Sequence, residues 1–282
     1  MREKPASTRP KVIILRNPTK PAAEAKLASL IDCLSQRAEV IATGVVGEPW
    51  RSASARPDRV IVLGGDGSIL AVVREMGDEQ IPVVGVNFGK LGYLAEFSIE
   101  DLARNLDAVL SDDSIVSRRM MIDAVVTSNG GEIKRDRAVN DCVVHAGPPY
   151  RMIELSISVD DVHLTNASCD GLVISTPSGS TAHNMSIGGP ILQSSVNAVV
   201  LSPISPHSLT HRPLVVAGES VIEVLVRQAN EGTTMVIDGQ VSVPLSVGDR
   251  VVVGRSAQEF KLVHNPTQTR WYTLTEKLKW GQ

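Results

Sequence analysis

The β-branched run Val60-Ile61-Val62-Leu63 passes without a break into Gly64-Gly65-Asp66-Gly67-Ser68. A short apolar run that ends in glycines reads as a buried strand entering a tight turn. Glycine there permits positive φ and lets a ligand approach the backbone closely. Residues 68–76 carry helical spacing, so a helix N-terminus able to stabilise phosphate follows directly. In an open α/β sheet, ligands bind beyond the carboxyl ends of the strands, which puts Asp66 at the ligand crevice. The spacing predicts an anion-binding turn made by Gly64, Gly65, Gly67 and Ser68, carrying one acid or base. Read alone, Asp66 also fits the less favoured reading of an ordinary turn former or helix cap.

A second glycine-rich segment makes the bland reading less natural. A buried strand over residues 172–175 leads into Thr176-Pro177-Ser178-Gly179-Ser180-Thr181-Ala182-His183-Asn184-Met185-Ser186. Amides and hydroxyls in such density suit the edges of a base, a ribose or a phosphate. A long loop with no formal charge after Asp170 is poorly suited to being mere solvated surface.

At 282 residues the chain allows two domains. Strand and helix patterns alternate through residue 112, with strands at 12–15, 40–41, 60–63 and 83–86 and helices at 22–37, 68–76 and 99–110. The predicted fold class over 11–114 is α/β, an open and mostly parallel sheet with helices on both faces. After residue 115 short strand-like runs recur between turn residues, at 122–127, 138–144, 152–159, 199–201, 215–216, 221–226, 235–237 and 250–253. That pattern predicts a C-terminal all-β domain over 115–266. Residues 1–10 read as a flexible tail.

Composition narrows the function classes. Aromatic residues make up 3% of the chain, so its cores must rest on Val, Ile and Leu. A net charge of −3 gives no basic stripe for nucleic acid, so a phosphate site has to be local. Cys33, Cys142 and Cys169 form no CxxC pattern and read as free thiols in a reducing compartment. No apolar leader and no stretch of about 20 apolar residues occurs, so no membrane association and a cytoplasmic location are expected. No HExxH or Cys/His cluster points to a fixed metal, and no GxGxxG follows a strand. Residues 85–91 imitate a P-loop, but one residue is missing between the glycines and Leu91 replaces the magnesium-binding hydroxyl.

With both loops in view, the chain resembles the bacterial-type NAD kinases. Gly64-Gly65-Asp66-Gly67-Ser68 is similar to the GGDG[ST] turn that NAD kinases share with diacylglycerol and sphingosine kinases and 6-phosphofructokinases. The more specific pieces are Asn87-Phe88-Gly89-Lys90-Leu91-Gly92-Tyr93, Asn140-Asp141, residues 170–190 and Pro203-Ile204-Ser205-Pro206-His207-Ser208-Leu209. Arg212-Pro213-Leu214, Asp238-Gly239-Gln240 and Leu278-Lys279-Trp280 complete an ordered set over nearly the whole chain.

The resemblance implies transfer of the ATP γ-phosphoryl group to the 2′-hydroxyl of the adenosine ribose of NAD. It implies ATP with Mg²⁺ or another divalent cation, no tightly bound organic cofactor, and a homodimer or homotetramer. Residues 267–282, helical in part, are then expected to pack back on the first domain. Asp66 is the candidate base, and Gly67 sits beside it in the expected NAD site. Asn140 offers a donor and an acceptor to a base edge, and Asp141 accepts ribose hydroxyl protons. Neighbours in a strand point to opposite faces, so both reach one ligand only at a bend or strand end. Thr181, Ala182, His183 and Ser186 are expected at the adenine pocket. Tyr93 is an alternative aromatic platform or plain core. Asp170, Asp238 and Gln240 match positions near the second nucleotide half or a neighbouring subunit. Arg151 either neutralises a diphosphate or simply opens a strand. The family more often carries Glu at the position of Asp141 and Tyr at that of His183. A lipid or sugar kinase sharing only the GGDGS turn leaves residues 140–141 and 170–190 unexplained. A silent nucleotide-binding regulator remains the reading from a different class.

Overall fold

The computed structural model describes residues 9–50, 55–89, 92–269 and 271–281. Most of the expected tail, residues 1–8, and Lys90-Leu91 of the 87–93 motif lie outside the described residues. The chain forms two compact units, one of residues 1–118 with 260–282 and one of residues 119–259.

The first unit alternates strand and helix: β1 (Lys11–Arg16), α1 (Pro21–Ser35), β2 (Glu39–Val45), β3 (Arg59–Leu63), α2 (Asp66–Met76) and β4 (Val83–Val86). Two short helices follow, α3 (Ile99–Arg104) and α4 (Leu106–Ser111). The strands β2, β1, β3 and β4 lie side by side in that order, all parallel. Every residue of β3 and β4 is buried, as a strand covered on both faces requires. Val12, Ile14, Ile61, Leu63, Val84 and Val86 share one core with Leu30 and Leu34 of α1 and with Leu102, Leu106 and Val109.

Ile99 to Leu110 is not one helix, as its apolar spacing suggested. The Asn105 side chain donates to the Asp101 carbonyl at 2.9 Å and separates α3 from α4. Asn competes for backbone acceptors in this way, which is why it suits helix ends. The start of α3 is fixed by a capping box between Ser98 and Asp101.

The second unit is built of strands: β5 (Val116–Ser128), β6 (Gly131–Ala138), β7 (Asp141–His145), β8 (Ile153–Val159), β9 (Val162–Cys169) and β10 (Gly171–Ser175). After the one-turn helix α5 (His183–Ser186) come β11 (Ala198–Ile204), β12 (Leu214–Ala217), β13 (Ile222–Gln228), β14 (Thr234–Ile237), β15 (Val241–Pro244) and β16 (Arg250–Val263). The C-terminal helix α6 (Tyr272–Leu278) belongs to the first unit. Asn129 and Gly130, both at positive φ, turn β5 into β6.

One antiparallel sheet runs β12-β11-β10-β7-β14-β15. Against it lie β16, β13, β8 and β9, also antiparallel to one another. Val144, Ile174, Leu201 and Ile237 of the first layer meet Leu155, Ile157, Val224 and Val251 of the other in one core. The 14-residue β16 pairs with β13 through Arg250 to Val253, and its far end belongs to the first unit, where Leu262 pairs with Val83. Among the described residues no helix is long and apolar enough to cross a membrane.

One buried cation ties the first unit together. Arg59 opens β3 and donates from Nε to the Val109 carbonyl at 2.9 Å and from Nη2 to Asp113 Oδ1 at 2.7 Å. Asp113 is largely exposed, so its charge stays solvated when the partner goes, whereas the carbonyl loses its donor. Arg59→Met is therefore expected to lower unfolding stability by about 1–3 kcal/mol. Urea unfolding midpoints measure this; an unchanged midpoint contradicts the assignment.

Candidate active site

Asp66 is the first residue of α2, and Gly65 is its N-cap without any side-chain cap bond. The Asp66 carboxylate reaches instead to the loop after β4. Oδ2 accepts the Tyr93 N–H at 2.8 Å, and Oδ1 accepts those of Leu94 and Ala95 at 2.9 and 3.0 Å. Gly92 is needed for this approach, since a Cβ there would stand 2.0 Å from Oδ1. A carboxylate has about four acceptor positions. Among the described residues three are filled by backbone, and one, on Oδ2, is left.

The turn around Asp66 is similarly determined. The Ser68 side chain is buried, and its hydroxyl accepts a hydrogen bond from Asn17 Nδ2 at 2.8 Å. Gly64 lies against that same side chain, while Gly65 faces open space. Tyr93 is half-buried; among the described residues its hydroxyl has no hydrogen-bond partner, and Lys277 Nζ lies 4.4 Å from the ring centroid. Burial first, and the nearby Asp66 charge second, hold the Tyr93 phenol above its ordinary pKa.

The second unit repeats the device. Asp238, at φ 49°, accepts three consecutive N–H groups, from Val139 (2.9 Å), Asn140 (2.7 Å) and Asp141 (3.1 Å). Successive amides of a strand point to opposite sides, so this convergence ends the ladder. The run 138–144 is accordingly broken between β6 and β7, and Asn140 sits at a strand end. The Asn140 carbonyl accepts the Thr176 N–H at 2.8 Å, and the backbone of Gly179 packs on it where a Cβ would not fit.

From that strand end Asp141, Val143 and His145 follow on one face of β7, while Cys142 and Val144 enter the core. Val236 on β14 stands opposite Val143. Together with Asn140, Ala182, His183, Asp238 and Gly239 they line a cleft of about 360 Å³. Five residues singled out from the sequence therefore meet there: Asn140, Asp141, Ala182, His183 and Asp238. Gly239 was named only as the middle of Asp238-Gly239-Gln240, and Val143, His145 and Val236 were not singled out, although a period of two from Asp141 reaches Val143 and His145.

The remaining expected residues lie outside the lining. Thr181 ends a short 3₁₀ turn, its hydroxyl on the Ser178 carbonyl, and the Ser186 hydroxyl donates to the His183 carbonyl at 2.7 Å. Asp170 joins β9 to β10, and its amide bonds the Ile204 carbonyl. Arg151 is exposed just before β8, and Gln240 is exposed in the turn between β14 and β15.

The electrostatics of the cleft are unusual. Asp141 is only 4% exposed and stands beside the amide-capped Asp238. Burial, then the Asp238 charge, raises the Asp141 carboxyl to about pKa 7. Burial first and the neighbouring His145 second lower the pKa of His183. Burial also pushes the Cys142 thiol up and the Cys169 thiol up to about 11, which removes both as nucleophiles.

Comparison with known proteins matches the chain to a family. The ATP-NAD kinase N-terminal domain matches residues 13–114, and the ATP-NAD kinase C-terminal domain matches residues 139–265. The chain belongs to the ATP-NAD kinase family. It is 38% identical over 272 residues to the NAD kinase of Rhodopirellula baltica, covering 96% of this chain and 87% of that protein. It is 40% identical over 260 residues to the NAD kinase of Trichlorobacter lovleyi, covering 92% of this chain and 90% of that protein. In fold it is similar to the crystal structure of yeast NADH kinase complexed with NADH, with a TM-score of 0.85. That match has 24% identity and covers 98% of this chain and 89% of the other. An Archaeoglobus fulgidus NAD kinase in complex with ATP follows at TM-score 0.78, with 24% identity, 95% of this chain and 98% of that one. As a member of the family the chain is an ATP-dependent kinase that phosphorylates NAD to NADP.

The raised carboxyl of Asp141 has a consequence for stability. In the unfolded chain this group ionises near its ordinary value of 3.8, whereas in the fold it keeps its proton to about pH 7. Its contribution is thus complete below pH 4 and is lost as pH rises to about 7, by a few kcal/mol (roughly 4). Asp141→Asn is expected to flatten the fall in unfolding free energy between pH 4.5 and 7.5. Parallel curves for wild type and variant contradict a neutral Asp141.

Proposed function

We propose that Asp66 is the general base of the phosphoryl transfer and that the cleft beside Asp141 and Asp238 recognises NAD. The single observation that carries the first assignment is the carboxylate held by three amides with one acceptor position left on Oδ2. A hydroxyl proton fits that position without displacing any protein contact. In the reaction Oδ2 takes the proton of the 2′-hydroxyl, and the 2′-oxygen bonds to the γ-phosphorus. The bond from that phosphorus to the β,γ-bridging oxygen breaks, ADP leaves, and NADP remains. Phosphoryl transfer asks chiefly for such positioning and for charge neutralisation.

Gly64, Gly65 and Gly67, at the N-terminus of the 11-residue α2, form the turn assigned to phosphate. Ser68 acts there as a buried strut, its hydroxyl taken by Asn17. In the cleft Asn140 is assigned to a base edge, Asp141 to ribose hydroxyls, and Ala182 and His183 to the adenine wall, with Thr181 and Ser186 shaping the same loop. Asp170, Arg151 and Gln240 are assigned to the outer reaches of the dinucleotide and Tyr93 to its aromatic platform. Residues 115–266 then constitute the NAD-binding domain.

Among the described residues no group of three or more His, Cys, Asp or Glu is placed to hold a metal. The Asp66 carboxylate is also mostly occupied by backbone, so a protein-built cage does not fit. A divalent cation, Mg²⁺ by preference, is assigned to the ATP phosphates, where it neutralises charge. Helices are assigned to both faces of the first sheet. Gly85 faces away from Val84 and Val86 and lies against Ile69 of α2. Exposed Val162 and Leu164 on β9, and Leu214 and Val215 on β12, support a homodimer or homotetramer. Three free cysteines support a cytoplasmic location.

An assay of wild type with NAD, ATP and Mg²⁺, read by an NADP-specific dehydrogenase, tests the reading. Asp66→Asn is expected to keep NAD binding and to lose turnover by about 10²–10⁴-fold. It also turns an amide NH₂ or a lost acceptor toward the loop, lowering stability by about 1–3 kcal/mol. Turnover close to wild type, measured below the variant's own unfolding midpoint, removes Asp66 from the role.

A further inference from the structure

Phosphoryl transfer needs positive charge where the γ-phosphate reacts, and among the described residues two arginines of the first unit are poorly placed to supply it. Arg16 is engaged by Glu24, and Arg74 lies in the last turn of α2, at the far end from Asp66. Lys277 differs. It is exposed on α6, and its ammonium rests 4.4 Å from the centroid of the Tyr93 ring. No carboxylate pairs with it among the described residues, and its neighbour Glu276 is turned to Lys279 at 3.6 Å. Among the described residues the Tyr93 hydroxyl has no hydrogen-bond partner, and the ammonium rests on the ring face. A ring face holds an exposed lysine loosely.

The position of that ring gives the contact its meaning. Tyr93 donates its N–H to Oδ2 of Asp66, the oxygen that keeps the unfilled acceptor position. We propose that Lys277 is a further catalytic residue, a mobile cation parked on Tyr93 that moves onto the γ-phosphate of ATP when the substrate arrives beside Asp66. A lysine suits this better than an arginine pinned in a fork, because its ammonium is a compact charge on a flexible stem. The C-terminal helix then supplies chemistry, and ATP is recognised without a separate triphosphate motif. This inference rests on the assignment of Asp66 as the base.

The test is steady-state kinetics on the full chain, with ATP and NAD varied separately, for Lys277→Ala, Lys277→Met, Lys277→Arg and Lys279→Ala. Loss of one phosphate-directed cation is expected to lower kcat/KM for ATP by about 10²-fold in the Ala and Met variants. KM for NAD and the melting temperature should stay at wild-type values. Lys277→Arg should recover at least a tenth of the lost activity, and Lys279→Ala should behave as wild type. Wild-type ATP kinetics in Lys277→Ala overturn the inference, as does a loss carried entirely by KM for NAD. So does a loss that follows helix content by circular dichroism, since that marks a structural role. An active Asp66→Asn enzyme would instead overturn the underlying assignment, whatever Lys277 does.

Discussion

Three backbone N–H groups converge on the Asp66 carboxylate, and the chemistry assigned to the first unit depends on that convergence. A free aspartate at the mouth of a glycine turn would sample several rotamers and would be a poor recipient for one particular proton. With Tyr93, Leu94 and Ala95 bonded to it, the side chain is fixed and the loop after β4 is fixed in the same act. The parallel strands β3 and β4 supply the two ends of this clamp, since α2 follows one and the loop follows the other. The loop is anchored further along as well. Glu96 accepts from the Asn265 amide at 3.1 Å and pairs with His264 at 2.8 Å, both on the segment after β16.

The second unit uses the same device for another end. Asp238 gathers the amides of Val139, Asn140 and Asp141, and in doing so stops a strand and presents two polar side chains at its tip. The cost falls on Asp141, which is buried beside a charge already satisfied by backbone. Its proton is the response. The lining of this cleft has no lysine or arginine, and its two histidines stand near one another. Such a cleft suits the uncharged edges of a nucleoside and gives no cation to a triphosphate.

The sequence was most legible where local chemistry decides the outcome. The β-branched run before Gly64 and the short strand-like runs between turn residues after 115 each specify their own backbone. Legibility failed where the partner is remote and has no residue signature. Tyr93, Leu94 and Ala95 lie 27 to 29 positions from Asp66, and any residue but proline carries the N–H they use. Val139 lies 99 positions from Asp238. β9 and β15 escaped notice because their residues are mostly polar or exposed, so no alternation marks them. His145 and Val143 were within reach, because a strand that places Asp141 in a cleft places every second residue there too. The departure of His183 from the family's usual Tyr is visible in sequence, but its low basicity follows from burial and from His145, which only the fold brings near.

The central claim is that the unfilled acceptor position on Asp66 Oδ2 belongs to the 2′-hydroxyl of NAD. A crystal structure of the wild-type enzyme with NAD and a non-transferable ATP analogue tests it most directly. The account predicts the 2′-oxygen at about 2.6–3.2 Å from Oδ2, with the three amide bonds of Asp66 intact. A ternary complex in which that oxygen bonds to another side chain, with Asp66 turned wholly to its loop, would contradict it.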